Sequence, residues 1–393
     1  MKRRALAAVL LAAAGAAGAQ PAPGASCDGS TGRVLQVGPG RALAVPSAAA
    51  AQARDGDVVR IDAGDYRGDV ARWEANRLTI CGSGGRARLF ADGRHAQGKA
   101  IWVIAGNDVT VDAVDFHDAK VPDHNGAGIR AEQAGALTIR HCGFYDNENG
   151  LLGGRPGATL TIEFSEFARN GHGDGQSHNL YVGAVDKLLV RASLFREARV
   201  GHNLKSRARE SVVEHSYLMD GPEGRSSYLA DFPNGGRVSL RGNLFHKGPK
   251  AENPNAIAFG AEGLKDDGEQ VLTMLHNTVV VDRPGANFLS VSAGAHALTL
   301  AANLFAGRED TTLIRGGFAP QRIARSVHAS LPAASLPHAG RPDEPDFWPA
   351  ALRDRLALKE PVDPAYTEDA PRPLTLRRLE GPGRISGALQ RTP

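Results

Sequence analysis

A strand-like pattern of apolar and polar positions recurs eight times through the middle of the chain. Seven of the eight copies open with an apolar, any, apolar triplet, which is the period-2 alternation of a β-strand, and every copy ends on Phe, Leu or Val. Successive copies start 28, 23, 28, 23, 27, 34 and 26 residues apart, so each is expected to supply one coil of a stacked repeat. The copies cover residues 109–116, 137–144, 160–167, 188–195, 211–218, 238–245, 272–279 and 298–305.

A small polar residue at the sixth position of seven copies predicts a buried hydrogen-bonding ladder. Stacked in register, such side chains can bond the backbone at one bend of every coil. A leucine-rich repeat has a similar period, but its leucine-rich consensus and its helical half are missing. The pattern therefore predicts an all-β chain folded as a right-handed parallel β-helix, a solenoid. The ladder residues are Cys142, Ser165, Ser193, Ser216, Asn243, Asn277 and Asn303.

A second strand follows the ladder turn in each coil, in segments 128–132, 150–154, 179–183, 203–207 and 227–231. Alternation turns one set of side chains toward the core, namely Ile129, Leu151, Leu180, Leu204 and Tyr228. It turns a polar set outward, namely Arg130, Tyr181, Lys205 and, two residues on, Glu132, Arg207 and Asp231. Because adjacent coils lie about 4.8 Å apart, Tyr181, Lys205 and Arg207 are expected to share one external patch.

The first nineteen residues are typical of a signal peptide. Three basic residues, Lys2 to Arg4, precede an apolar stretch from Ala5 to Ala14, and a small-residue cleavage pattern follows at 17–19. No later segment reaches about eighteen uninterrupted apolar residues, so no integral membrane segment is expected. The leader predicts an exported protein, either periplasmic or extracellular.

The two ends of the repeat differ from its middle. Pro46 and Ser47, followed by residues up to Arg54, predict a short N-terminal capping helix with Ser47 as its N-cap. Such a helix would cover the open end that every solenoid has. Beyond about residue 320 the repeat fades. The expected organisation is a signal peptide at 1–19, an N-terminal cap at 20–57, the β-helix at 58–318 and an irregular C-terminal wrap at 319–393.

Removing the leader changes the charge balance. The whole chain has 46 basic and 43 acidic residues, and three of the basic residues lie in the leader, so the remaining chain is neutral. A charge-based case for nucleic acid or for an acidic substrate therefore disappears, and only a local basic patch could support one. The 47 glycines and 23 prolines suit many short strands and turns, in agreement with the repeat.

Three cysteines, Cys27, Cys81 and Cys142, bear on the compartment and on metal binding. In an oxidising compartment Cys27 and Cys81 can form a disulfide that ties the N-terminal cap to the first coils. The alternative is three buried thiols. A CxxC motif and a cysteine–histidine spacing typical of zinc are both missing, so no zinc site is expected.

Segments 53–59 (ARDGDVV) and 63–66 (AGDY), together with the coil motifs, resemble the pectate-lyase-like superfamily. The resemblance covers roughly residues 40–310 and implies the right-handed β-helix fold. It specifies activity less well, because that superfamily includes lyases, hydrolases, epimerases, esterases and non-catalytic tail and adhesion proteins. Residues 171–173 resemble the GHG motif of polygalacturonases, whereas the paired aspartates of those hydrolases and the vWiDH and RxPxxR motifs of pectate lyases are missing.

A glycine-rich polar loop at 171–181 leads into one of the outward strands. The His-Asn pair at 178–179 recurs at 202–203, which is 24 residues or one coil later, so the two pairs are expected to stack. The asparagines either form a second ladder or contact a substrate. The histidines either cover a turn or, as two stacked imidazoles beside Lys205, belong to a functional site.

The outward cluster suits the chemistry of a polysaccharide lyase. Such an enzyme removes the C5 proton beside a uronate carboxylate and must stabilise the enolate that forms. Arg207 can pair with that carboxylate, while Lys205 or His178 can remove the proton. Tyr181 can protonate the leaving group or stack on a sugar. The catalytic candidates are Lys205, Arg207, Tyr181, His178 and His202, and the expected substrate-binding residues are Asp174, Asn179, Asn203, Arg130 and Asp231.

Two other classes of function remain open on the same scaffold. One is a glycoside hydrolase or uronate epimerase, with Asp174 and either Asp231 or Glu132 as the carboxyl pair of a hydrolase. The other is a non-catalytic carbohydrate-binding β-helix. Calcium held by Asp174, Asn179 or Asp231 is an option, and otherwise no cofactor is expected. In the catalytic readings the partner is an acidic polysaccharide or oligosaccharide, and nucleic acid is not expected.

Overall fold

The computed structural model describes residues 21–265, 268–316, 322–332, 336, 356–367 and 378–390. The predicted signal peptide at 1–19 lies outside these residues. Within them the chain forms a right-handed parallel β-helix of about 11 turns. The fold class predicted by the repeat is confirmed.

Two faces of the solenoid belong to one 21-stranded sheet. The first face contains Val34–Val37, Val58–Arg67, Thr79–Phe90, Val109–Asp112, Ala136–Arg140, Thr159–Glu163, Lys187–Arg191, Glu210–Glu214, Arg237–Arg241, Val271–Leu275, Ala297–Ala301 and Arg322–Ala324. The second face contains Val114–His117, Gly143–Tyr145, Glu166–Ala168, Leu194–Arg196, Tyr217–Met219, Leu244–Lys247, Thr278–Val281, Leu304–Gly307 and Val327–Ser330. The long strand Thr79–Phe90 pairs with Val109–Asp112 of the first face and with Val114–His117 of the second face, and so joins them. Val58–Arg67, which is also long, pairs with Thr79–Phe90 on its other side.

The third face is a separate 10-stranded parallel sheet. Its strands are Ala71–Trp73, Ala100–Ile104, Ala127–Ala131, Asn149–Gly153, Leu180–Val182, Leu204–Ser206, Ala230–Phe232, Asn255–Phe259, Asn287–Val291 and Thr312–Arg315. The strand segments from 128 to 231 that carry the candidate residues lie on this face. Side chains that alternate inward from all three faces form one continuous apolar core.

The predicted polar ladder runs along the bend between the first and second faces. Its serine and asparagine side chains are fully buried, and each accepts a hydrogen bond from the backbone N–H of the ladder residue one coil earlier, at 2.9–3.2 Å. The ladder extends one coil further than the repeat indicated, because the N–H of Asn303 donates to Ser326. Bonds of this kind satisfy buried backbone groups that the tight bend leaves without a strand partner.

The eighth position of the repeat forms a stack of aromatic rings inside the core. The ring centroids of Phe116, Phe144, Phe167 and Phe195 are separated by 5.1, 4.4 and 4.8 Å, with interplanar angles of 9–12°. All four rings are fully buried. The apolar stack expected from the sequence is therefore present, and it fixes the register of four consecutive coils.

The N-terminal helix is shorter than predicted. It covers Pro46–Ala50, its N-cap is Val45, and it has no side-chain cap bond. Ser47 lies inside the helix and donates its hydroxyl to Asp69, so its assignment as the N-cap was wrong. The function of this helical turn as a cap stays a prediction.

Other features of the N-terminal segment tie it to the first coils. A 3-10 turn covers Ala25–Cys27, and Cys27 forms a disulfide with Cys81, which is one of the two options that the sequence left open. The strand Val34–Val37, inside the expected cap, already pairs in parallel with Val58–Arg67. The third cysteine, Cys142, is a buried free thiol in the polar ladder.

The C-terminal part of the chain, expected to be an irregular wrap, lies partly outside the described residues. Within them, Ala357–Thr367 and Arg378–Ile385 form an antiparallel pair. Leu356 and Leu389 pack against outward side chains of the second face, including Leu194, Tyr217, Met219 and Leu244. Leu356 and Leu389 therefore cover part of the second face. In the described part of the chain, no helix is long and apolar enough to cross a membrane.

Candidate functional site

The outward column of the third face brings three candidate side chains into neighbouring strands. Tyr181 is in register with Lys205, and Lys205 is in register with Asp231. Parallel strands lie about 4.8 Å apart, so these three side chains are direct neighbours. Arg130 lies in the same column, two strands away from Tyr181 and separated from it by Leu152.

The register at Asp231 differs from the sequence alignment by two residues. The alignment placed Tyr228 inward beside Leu204, but the strand pairing places Ala230 there. Leu229 and Ala230 are fully buried, whereas Tyr228 is half-buried at the corner, where its N–H bonds His202 at 3.3 Å. A shift of two preserves the alternation, so Asp231 still points outward but lies beside Lys205.

Two cations hold a single carboxylate on this face. The Lys205 Nζ lies 2.7 Å from Glu262 Oε1, and Arg207 Nη2 lies 2.5 Å from Glu262 Oε2. Arg207 also donates its Nε–H to the Tyr181 hydroxyl at 2.9 Å and an Nη1–H to Asn234 at 2.5 Å. We call Tyr181, Lys205, Arg207, Asp231 and Glu262 the cationic cluster.

Sequence reasoning missed Glu262 and Asn234. Both lie in loops beyond the strands of the third face, more than fifty and about thirty residues after the side chains they bind. Loops have no repeat period, so no alignment of coils predicts their position. The only local signal is a pair of glycines with positive φ, Gly260 and Gly263, that turn the chain at Glu262.

The two carboxyl groups of the cluster differ in charge. Burial acts to raise the pKa of Glu262, but hydrogen bonds and charge from Lys205 and Arg207 outweigh it and hold that pKa below its usual value. Burial raises the pKa of Asp231 to about 7, even though Lys205 opposes the rise. Asp231 Oδ2 lies 3.4 Å from His202 Nε2. Near neutral pH, Asp231 can therefore hold a proton while Glu262 is ionised.

His178 and His202 form a hydrogen-bonded ladder. Their rings stack at 4.4 Å, and the Nδ1 of His178 accepts the backbone N–H of His202 at 2.9 Å. The Nδ1 of His202 accepts the N–H of Tyr228 in the same way. Burial lowers the pKa of His178 to about 3 and that of His202 well below its usual value, so both rings are neutral, with the proton on Nε2. Neither ring then has a free lone pair, and we do not retain His178 as the base.

Asn179 and Asn203 belong to a second polar ladder. Both are fully buried, and Asn179 Nδ2 donates to Asn203 Oδ1 at 2.7 Å. Asn179 Oδ1 in turn accepts from the backbone N–H of Asn170 at 3.0 Å. A fully buried amide bonded within the scaffold offers no atom to a polysaccharide, so we do not retain either asparagine as a substrate contact.

The remaining predicted residues have partners outside the cationic cluster. Asp174 Oδ1 accepts bonds from the N–H of Gln176 and the hydroxyl of Ser177, which closes its loop. Glu132 pairs with Arg72 and Lys99. Arg130 donates to the carbonyl of Asn125 at 3.1 Å, and burial lowers its pKa. Calcium at Asp174, Asn179 or Asp231 stays a prediction.

The pH dependence of folding stability is expected to reveal Asp231. The pKa of Asp231 is about 7 in the folded chain, against 3.8 for an aspartate outside any structure. Between these two pH values, Asp231 therefore keeps its proton in the folded chain and loses it in the unfolded chain. Stability therefore falls as the pH rises through this range. Asp231→Asn cannot ionise and is expected to gain stability over the unchanged protein at about pH 8, with a smaller gain at about pH 5. Urea unfolding at both pH values measures this.

The matched control for this measurement is Asp92→Asn, which changes an exposed carboxylate. It should leave the difference in unfolding free energy between the two pH values unchanged. Equal pH dependence of the unchanged protein and Asp231→Asn would contradict a raised pKa at Asp231.

These features define a right-handed β-helix with a cationic cluster on its third face. No family model and no curated protein matches the chain. Among solved structures, pectate lyase Pel9A is similar over 94% of this chain and 100% of that one, with a TM-score of 0.60 and 14% identity. The alginate lyase from Paenibacillus sp. str. FPU-7 is similar over 72% of this chain and 96% of that one, with a TM-score of 0.51 and 15% identity. This likeness establishes the fold, and the resemblance to the pectate-lyase-like fold is confirmed.

Proposed function

We propose that this protein is a polysaccharide lyase that cleaves a uronate-containing glycan by β-elimination. One observation carries the proposal: Lys205 and Arg207 together bind one carboxylate, that of Glu262, on the outer face of the solenoid. A uronate presents the same group, and a guanidinium beside an ammonium is suited to bind it. The substrate carboxylate takes the place of Glu262 when it binds.

The reaction requires a base, a stabiliser of the enolate and a proton donor. Lys205 gives up its ammonium proton to solvent before it acts as the base; its amine then takes the C5 proton, while Arg207 holds the uronate carboxylate and stabilises the negative charge that develops on it. The electron pair forms the C4–C5 double bond as the C4–O bond breaks. Tyr181, which is bound to Arg207 through its hydroxyl, donates a proton to the leaving oxygen. The product has a new unsaturated sugar end.

Two further observations support this proposal. The two similar solved structures are named as lyases of pectate and of alginate, and the chain shares their fold. The disulfide between Cys27 and Cys81 favours an oxidising compartment, in line with export to the periplasm or the exterior, where such polymers are met. The proposed partner is an acidic polysaccharide or oligosaccharide.

The direct test is the ultraviolet absorbance of mature protein incubated with a panel of uronate polysaccharides, with and without calcium. Rising absorbance from a C4–C5 unsaturated product is the expected result. New reducing ends without a rise in absorbance would indicate a hydrolase instead of a lyase. A changed C5 configuration without cleavage would indicate an epimerase, and binding without turnover would indicate a carbohydrate-binding β-helix.

Glycoside hydrolysis is the second candidate because of Asp231. A hydrolase needs one carboxyl that keeps its proton near neutral pH and one that is ionised. Asp231 and Glu262 differ in this way, and both contact or adjoin Lys205. In that case Asp231→Asn would abolish the release of reducing ends, whereas a lyase would keep its unsaturated product.

Glu262 is expected to compete with the substrate. Glu262→Gln removes a charge from a side chain that is 44% exposed, so the released free energy is at most about 1 kcal/mol. The Michaelis constant for a uronate polysaccharide should therefore fall by about two- to fivefold. Initial rates across substrate concentration measure this.

The control is Glu269→Gln, which changes another exposed glutamate of the same loop that pairs with Arg237. It should leave the Michaelis constant unchanged. A higher constant for Glu262→Gln would mean that Glu262 positions the two cations and does not compete with the substrate.

A further inference from the structure

A group of three side chains lies away from the cationic cluster, at the corner between the second and third faces. His124, Glu148 and His172 come from the turns of three consecutive coils. Their possible ligand atoms all lie within 4.8 Å of one another. Among the described residues this is the group of histidine, cysteine and acidic side chains whose geometry suits a metal ion.

Glu148 is the buried member of this group, and hydrogen bonds hold it in place. Its side chain is only 5% exposed, and its Oε2 accepts the backbone N–H groups of Val121 at 3.1 Å and Gly126 at 2.7 Å. These bonds hold the carboxylate in one orientation. The other oxygen, Oε1, then faces the two imidazoles.

The two imidazoles lie together over that oxygen. The Nδ1 of His124 is 3.5 Å from Glu148 Oε1, and the Nδ1 of His172 is 4.0 Å from it. The rings are stacked, with centroids 3.8 Å apart and 14° between their planes. The turns that carry His124 and His172 belong to the coils on either side of the Glu148 coil, and both place an imidazole over its carboxylate. The backbone N–H of His172 donates to Ser177 at 2.7 Å, which helps to fix its turn.

We propose that His124, Glu148 and His172 bind a divalent transition-metal ion, with zinc as the preferred ion. Two imidazole nitrogens and one carboxylate oxygen are a donor set that zinc takes, at about 2.0–2.2 Å. Small rotations of the exposed rings bring the three atoms to a common ion. Calcium is disfavoured because it takes oxygen ligands. Three protein ligands leave a fourth position open to water or another ligand.

The proposed ion would join three consecutive coils, the last of which carries Tyr181 of the cationic cluster. Glu148 is followed directly by Asn149, whose Oδ1 accepts the backbone N–H of His178 at 2.9 Å. His178 in turn belongs to the imidazole ladder beside Tyr181 and Lys205. Zinc at this corner is expected to stabilise the turn that leads into the strand of Tyr181. The proposed zinc site does not depend on the proposed lyase activity.

Zinc titration of the tag-free, chelator-treated mature protein tests the proposal by calorimetry. One zinc ion per chain is expected, and cobalt should give the absorption bands of a low-symmetry nitrogen and oxygen site. His124→Ala and His172→Ala should each weaken zinc binding by at least about tenfold, because mutating a residue that only hydrogen-bonds to a metal ligand already lowers metal affinity by that much. His95→Ala, which changes an exposed histidine elsewhere, is the control and should bind like the unchanged protein.

The proposal would be overturned if the unchanged protein did not bind zinc. It would also be overturned if both histidine variants bound zinc as strongly as the control. His124 is exposed in a turn, so its variant should fold normally, and circular dichroism of the metal-free proteins verifies this. Glu148→Gln keeps an acceptor for the two backbone N–H groups, and it should also lose zinc while the fold is retained.

Discussion

Lys205→Ala is expected to lower the turnover of a uronate polysaccharide by about 10²–10⁴-fold, the usual contribution of a positioned general base. The Lys205 side chain is 10% exposed, and its Nζ reaches the carboxylate position on the outer face that Glu262 occupies. It also lies 5.3 Å from the centre of the Tyr181 ring, which restricts where Nζ can go. A shorter side chain at this position leaves nothing to take the C5 proton.

The control for this prediction is Lys187→Ala. Lys187 is a half-exposed lysine on the first face that pairs with Glu210, so its loss should leave turnover unchanged. Turnover should be measured together with binding of the same polysaccharide. Full activity of Lys205→Ala would remove Lys205 from the role of base, whereas a loss of binding alone would leave it only as a contact to the substrate.

Phe167→Ala is expected to reduce the free energy of unfolding by about 3–5 kcal/mol, the usual cost of removing a buried aromatic ring. The Phe167 ring lies between Phe144 at 4.4 Å and Phe195 at 4.8 Å, and none of the three is exposed to solvent. The cavity cannot fill easily, because the neighbouring rings are held by their own coils. Urea unfolding followed by circular dichroism measures the change.

Two variants calibrate this measurement. Phe167→Leu keeps most of the buried apolar volume and should cost clearly less than alanine. Val34→Ala changes a valine that is 45% exposed, so its effect should stay within about 0.5 kcal/mol. A cost for Phe167→Ala no greater than that of Val34→Ala would mean that the aromatic stack does not contribute to stability.

The repeat allowed most of the fold to be predicted. Equivalent positions of successive coils must stack, so the polar ladder and the phenylalanine stack followed from the sixth and eighth positions of each copy. The same reasoning placed Tyr181 beside Lys205. The disulfide was predicted only as one of two options, because spacing along the chain does not decide which cysteines meet.

The candidate site was predicted less completely than the fold. The length of the turn before Tyr228 changes the pairing of the next strand, so Asp231 lies beside Lys205 and not beside Arg207. The neutral state of His178 depends on a backbone N–H donated from the next coil. Neither fact is visible in the local sequence.

By itself, the sequence determined the stacked strands, the buried ladder at the sixth position of the repeat and the face on which Tyr181, Lys205 and Arg207 lie, because these depend on periodicity within about 25 residues. The tertiary structure alone decided that Glu262 binds the two cations and that His124, Glu148 and His172 converge. These groups come from corner turns and loops, which follow no period. Their positions are set by how each loop folds back over its neighbours, and this depends on packing between coils.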